Sequence, residues 1–102
     1  MSDPSDRPLA GQLALVTGGA LRLGRAVALA LAGQGVDVVV HHHRSEDPAR
    51  ALVTELEALG VKAWAVRADL ADAGAAAGLA DLAARTAGRP VDVLLNSAGI
   101  FG

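Results

Sequence analysis

The chain contains no cysteine and no tyrosine. Without cysteine there is no disulfide frame and no thiolate for catalysis or metal binding. Without tyrosine there is no phenolic proton donor. Lys62 is the only lysine, Trp64 the only tryptophan and Phe101 the only phenylalanine. No apolar run approaches the roughly 18–20 residues needed to cross a bilayer, so no membrane span is expected. The formal net charge is −2 and no basic stripe with interleaved aromatics occurs. Nucleic acid is therefore not an expected partner. Residues 1–11 are polar, with Asp3, Pro4, Asp6, Arg7 and Pro8. They lack the charged-then-apolar order of a signal peptide and read as a flexible tail, with the cytoplasm as the expected compartment.

What is present is an alternation of short apolar runs and amphipathic stretches over residues 12–102. A chain of 102 residues is read as one domain, and at this size it can bury roughly 60–70% of its unfolded surface. The first strand is expected over Gln12–Val16 and the first helix over Arg22–Ala32, with Leu23, Val27, Ala30 and Leu31 on its inner face and Gly33 and Gly35 at its end. The second strand is expected over Val36–His41. Asp47 and Pro48 read as a cap and first helical residue for a helix whose core face is Leu52, Val53, Leu56 and Leu59, stopped by Gly60. A third strand spans Val61–Val66. A third helix runs from Asp72 to Gly88 with Leu79, Leu82 and Ala83 facing inward, weakened by Gly74 and Gly78. The fourth strand spans Val91–Leu95. Strands separated by helices in this rhythm specify an α/β fold, a partial Rossmann or doubly wound parallel sheet of order 3-2-1-4. In that layout the fourth strand is an apolar edge that invites self-association or pairing with a missing C-terminal half.

The stretch Thr17-Gly18-Gly19-Ala20-Leu21-Arg22-Leu23-Gly24 joins the first strand to the first helix. A strand, a Gly-rich turn and a helix N-terminus together make a dinucleotide site: backbone approaches the pyrophosphate, and helix N–H groups face it. Side chains at Gly18 and Gly24 would block that approach. The other reading is a βα turn that merely happens to be rich in glycine.

The second strand ends in His41-His42-His43-Arg44-Ser45. An acid at this strand tip would suit the ribose hydroxyls of NAD, whereas an arginine suits the 2′-phosphate of NADP. Asp37 lies too early in the strand to be that acid. Arg44 is expected at the tip, with Ser45 beside it as a neutral donor, and Arg22 can reach the same phosphate from the glycine turn. Two guanidinium groups on one dianion form charge-assisted bonds, so the expected cofactor is NADP(H). His43 is a further candidate for the phosphate or adenine region. A metal site is not expected, because His41 and His42 point to opposite faces of a strand. Asp69 can accept from the adenine amino group and Leu70 can cover the ring, although Asp69 reads equally as a helix cap. Asn96-Ser97-Ala98-Gly99 follows the fourth strand, where small residues let backbone pass beside a ribose and nicotinamide. Asn96 could equally tie strand to loop.

Thr17–Gly24, Asp69-Leu70 and Asn96-Ser97-Ala98-Gly99 resemble the cofactor half of the short-chain dehydrogenase/reductase family, whose turn usually reads T-G-x-x-x-G-[IL]-G. Here Arg22 replaces the middle glycine. That replacement, with His43-Arg44-Ser45, resembles the pteridine reductase branch, which uses NADPH. The resemblance implies that Phe101 stands where an aromatic stacks on the pterin substrate. It runs from about Leu9 to Gly102, the first half of the family's fold. The family's catalytic serine and Y-x-x-x-K pair come later, so no catalytic residue is assigned within this chain, which alone is expected to be inactive. The leading expectation is the amino-terminal part of an NADPH-dependent reductase. A stand-alone NADP-sensing module and one half of a split reductase are the alternatives.

Overall fold

Runs of β-branched and leucine residues, each closed by a polar or glycine turn, set the strands of this chain. The computed structural model describes residues 10–17, 22–43, 46–68 and 73–96, leaving aside the side chains of 22, 73–77 and 96. In chain order the elements are β1 (Leu13–Thr17), α1 (Arg22–Gly33), β2 (Asp37–His42), α2 (Glu46–Ala58), β3 (Ala63–Arg67), α3 (Ala73–Ala87) and β4 (Val93–Asn96). The four strands form one sheet of order β3-β2-β1-β4. Every pairing is parallel, with Leu13 opposite Asp37, Val38 opposite Ala63 and Ala14 opposite Val93. The topology is therefore the doubly wound one expected, and each strand sits one or two residues later than its apolar run alone suggests.

The sheet buries both faces. Val16, Val38, Val40 and Ala63 pack with Ala28, Ala32, Ala49, Leu52 and Leu56 of α1 and α2. Leu13, Leu15, Val39 and Val66 pack with Leu79 and Ala83 of α3. Alternate strand residues thus serve opposite layers. Burying one leucine such as Leu52 contributes about 1.5–3 kcal/mol.

Three expectations about the helices are corrected. α1 does not turn Leu23 and Ala30 inward; Leu23 is 39% exposed, Ala30 is exposed, and the buried row is Gly24, Ala28 and Ala32. These residues recur every four positions and are small, which lets the helix axis approach the sheet. α2 begins at Glu46 rather than after Asp47, so Pro48 lies in the first turn as its third residue. The first turn has no intrahelical N–H bonds to lose, which is why proline is tolerated there. Leu59 is exposed because α2 ends at Ala58; Ala49 joins Leu52 and Leu56 on the buried face instead.

α1 ends in a closed capping motif. The Val36 N–H donates to the Leu31 carbonyl (3.1 Å) and the Gly35 N–H to the Ala32 carbonyl (3.0 Å). This six-to-one and five-to-two pattern needs a left-handed residue at its centre, and Gly35 supplies it with φ of 87°.

Candidate functional site

Parallel strands present all their carboxyl ends on one edge, and of the candidate residues Thr17, His43 and Asn96 are described at or next to strand ends there. Thr17 is the last residue of β1 and pairs in register with Asn96, the last of β4. Its buried hydroxyl donates to the Leu95 carbonyl at 3.4 Å, tying the two strand ends together where the sheet order reverses. β2 and β3 lie on one side of β1, and β4 on the other. The chain leaving β1 enters α1 at Arg22. The first N–H groups of α1 lack intrahelical partners and open toward this edge. Gly24, in the first turn of α1, is buried, which brings that turn close to the sheet. Such a helix start carries partial positive charge and suits an anion.

One strand over, β2 ends at His42. His41 is 3% exposed and His42 5%. They sit on opposite faces: His41 alternates with Val39, on the α3 side, and His42 with Val40, on the α1–α2 side. Among the described residues no group of three histidine or acidic side chains could hold a metal ion. The His41 Nε2–H donates to the Ala68 carbonyl at 2.8 Å. His42 Nδ1 is buried without a partner among the described residues.

Both rings are harder to protonate than an ordinary histidine. For His41 the main cause is burial; the Ala68 carbonyl opposes it, and the neighbouring His43 adds to it. For His42 burial again leads, followed by His41; Glu46 opposes, while Arg67 and Arg50 add. Charges of both signs from α2 and β3 thus reach the tip of β2, Glu46 against Arg50 and Arg67, and burial makes a neutral imidazole there less costly than a charged one.

Of the residues marked in the sequence, the structure brings together Thr17, Leu23, Gly24 and the backbone of Arg22 and Asn96 at the β1–β4 reversal. It places His43 just past the tip of β2. Gly18, Arg44, Ser45, Asp69, Leu70, Ser97, Ala98, Gly99 and Phe101, with the side chain of Arg22, lie outside the described residues. Asp37 stands at the opposite, amino edge of the sheet, as its position early in the strand requires. Sequence reasoning weighed His41 only as a metal ligand and missed its tie to Ala68. The one available signal was a polar ring in a strand core, since buried polar groups seek partners.

The chemistry of this edge fits a dinucleotide: open backbone N–H groups at α1, a glycine in its first turn, and a buried imidazole nitrogen at the tip of β2 that has no partner among the described residues. The family model for short chain dehydrogenase matches residues 12–102. L-rhamnose 1-dehydrogenase (NAD(P)(+)) of a Sphingomonas species is 42% identical over 92 residues, which cover 90% of this chain and 36% of that protein. A short chain dehydrogenase from Burkholderia cenocepacia, solved in complex with NADP, superposes with a TM-score of 0.78 at 42% identity, over 84% of this chain and 35% of that one. FolM alternative dihydrofolate reductase 1 from Brucella canis, complexed with NADP, gives a TM-score of 0.75 at 36% identity, over 86% of this chain and 34% of its own. The chain therefore spans about a third of the length of these relatives.

Proposed function

The chain belongs to the short-chain dehydrogenase family, and from that premise we propose that it forms the NADP(H)-holding part of an oxidoreductase. One observation carries the reading. The end of β1, the start of α1 and the tip of β2 share the carboxyl edge, beside the point between β1 and β4 where strand order reverses. The NADP carried by the Burkholderia and Brucella proteins supports it.

A bound nicotinamide dinucleotide supplies hydride transfer to such an enzyme. The residues of this chain bind and orient it. The α1 N-terminus, with Thr17, Gly18, Leu23 and Gly24, receives the pyrophosphate. Arg22 and Arg44, with His43 and Ser45, take the 2′-phosphate. Asp69 and Leu70 hold the adenine, and Asn96-Ser97-Ala98-Gly99 line the nicotinamide ribose. With no tyrosine in its 102 residues, this stretch holds the cofactor and does not deliver the family's proton.

Titration of the full chain with NADPH and NADH tests the reading. A charge-assisted bond of about 1.5–3 kcal/mol corresponds to a preference of roughly tenfold or more for NADPH. Arg44→Ala is expected to lower NADPH affinity by roughly tenfold, Arg22 still facing the 2′-phosphate, while leaving NADH affinity unchanged. Equal affinity of the unaltered chain for both cofactors would overturn the assignment.

Within the family, the pattern of Arg22 with His43-Arg44-Ser45 favours a pteridine reductase-like substrate, with Phe101 stacking on the heterocycle. The likeness to the Brucella dihydrofolate reductase supports this branch. A dihydropterin, a simple ketone and a 3-oxoacyl thioester, compared as substrates of the longer protein carrying this stretch, discriminate it. Preference for the thioester or the ketone returns Phe101 to a packing role.

A further inference from the structure

His42 ends β2 on the face where Val40 clusters with Ala49 and Leu52 of α2. Its ring is 5% exposed, and its buried Nδ1 meets no hydrogen-bond partner among the described residues. α2 begins soon after, at Glu46, and seats its first turn through the buried Ala49. Arg67 pairs with His42 in the β2–β3 ladder and so shares its face. The charges that reach the ring are Glu46 and Arg50 from α2, Arg67 from β3 and His41 from β2 itself. Arg25, the described charged side chain of α1, is paired with Glu55 of α2. Glu46 is the one acid among the groups facing the ring, and it is shared, since its carboxylate lies 3.6 Å from the Arg50 guanidinium.

We propose that His42 is an acid-operated catch: a proton on its ring unseats the first turn of α2 from the tip of β2, while the sheet and the rest of α2 stay folded. The inference goes beyond cofactor binding and stands independently of it. A neutral imidazole carries one hydrogen, and the tautomer that holds it on Nε2 leaves Nδ1 with a bare lone pair. A protonated ring carries a hydrogen on both nitrogens. Nδ1 then becomes a buried donor without an acceptor, on a cation that faces two arginines. Such a donor requires water or another acceptor, and lifting the first turn of α2 admits water. That turn is the part able to yield. Its N–H groups have no intrahelical partners, Pro48 has no N–H at all, and of residues 46–49 only Ala49 is buried. Beyond it α2 is held by Leu52 and Leu56, both fully buried. The sign follows from burial, which keeps the seated ring below the ordinary 6.5. The catch is closed above about pH 6.5 and loosens as pH falls toward the lowered value of the seated ring.

Amide hydrogen exchange of the full chain reads the catch. Arg50, Ala51 and Leu52 carry the first N–H groups bonded within α2, and Leu15 and Val16 in β1 serve as reference. Opening constants are corrected for the pH dependence of intrinsic exchange. A buried donor left unmade corresponds to roughly tenfold in an equilibrium, so opening at Arg50, Ala51 and Leu52 is expected to rise by roughly tenfold between about pH 7.5 and 5. Urea separates this local event from global unfolding, because sensitivity to urea scales with the surface exposed. The three α2 amides are expected to respond weakly to low urea at both pH values, and the β1 amides strongly. His42→Gln, whose amide takes up no proton in this range, is expected to hold the α2 amides level. No rise in the unaltered chain, an equal rise in His42→Gln, or a rise with the urea response of β1 overturns the proposal. Nitrogen-15 shifts of the His42 imidazole give an answer even where His42→Gln does not fold. The proposal requires the ring to gain its proton over the pH range in which the α2 amides open. A ring that stays neutral while they open, or that is protonated while they stay closed, overturns it.

Discussion

Asp37 shows how much one carboxylate can organise. Its Oδ1 accepts from the Lys62 backbone N–H at 2.8 Å, and its Oδ2 accepts from the Arg89 guanidinium, whose Nη2 also lies 3.4 Å from the Gln12 carbonyl. The start of β2, the turn before β3 and the loop after α3 meet on this one side chain. Asp92 performs a similar task for β4: its Oδ2 accepts from the Leu13 N–H at 2.9 Å, and its own N–H donates to the Leu13 carbonyl at 2.8 Å. Both residues belong to the amino edge, away from the cofactor edge. Asp37→Ala is therefore expected to lower stability by about 1–3 kcal/mol in urea unfolding while leaving NADPH affinity unchanged. His41 and His42 give stability a pH dependence of definite sign. Both rings titrate below the ordinary 6.5 in the folded chain. On acidification the unfolded chain binds protons that the folded chain resists, so unfolding is favoured. Their contribution is complete above about pH 6.5 and is lost as pH falls through the lowered folded values. Urea midpoints are expected to hold steady from about pH 8 to 7 and to fall below about 6.5, with a shallower fall in a His41→Gln, His42→Gln double variant.

At the level of elements, the glycines after α1 and α2 stop those helices as local rules require, and the α3 face of Leu79, Leu82 and Ala83 is the one expected, whereas the start of α2 and the inner face of α1 are not. Gly35 adopts φ of 87°, whereas Gly33 closes α1 in helical conformation, and an added Cβ there meets nothing within 4 Å. Gly78, exposed within α3, is equally open. Gly35→Ala is expected to cost about 1–2 kcal/mol through the left-handed backbone, and Gly78→Ala to gain about 0.5–1 kcal/mol. Thermal unfolding of the two variants, one lowered and one raised, checks both. Gly33 and Gly35 could be read as stops from sequence because turn chemistry is local. The inner face of α1 could not. Its sequence RLGRAVALALAG is apolar around most of its circumference, so period alone does not choose a face. Close approach to the sheet chose Gly24, Ala28 and Ala32 over the larger Leu23.

Across the whole molecule, the strand order and both core layers were legible because buried parallel strands write continuous apolar runs. The polar ties were not, because Asp37 with Arg89 and Asp92 with Leu13 depend on a register that only the folded sheet defines. For the candidate site, the junction of β1 with α1 and the histidines at the end of β2 were legible, while the bond from His41 to Ala68 joins residues 27 apart in sequence. Among the described strands β4 is the edge beside β1. Leu94 stands opposite Leu15, a residue covered by the α3 layer, yet is itself 59% exposed. This apolar edge supports the proposal that the isolated chain self-associates. Leu94→Lys, a charge of the kind that protects natural edges, is then expected to shift the population toward monomer. Light scattering after size exclusion reads the shift, and an unaltered chain that is monomeric at every concentration refutes the proposal.

Trp64 lies in β3, half-buried against the layer that α3 contributes. With no second tryptophan and no tyrosine in the chain, its indole is the sole source of intrinsic ultraviolet fluorescence beyond the weak phenylalanine signal. The emission wavelength then reports whether α3 is seated on the sheet, without a label. Reduced nicotinamide absorbs where indole emits, so energy transfer from the same ring would register the arrival of NADPH, and one spectrum would distinguish an undocked helix from an empty site.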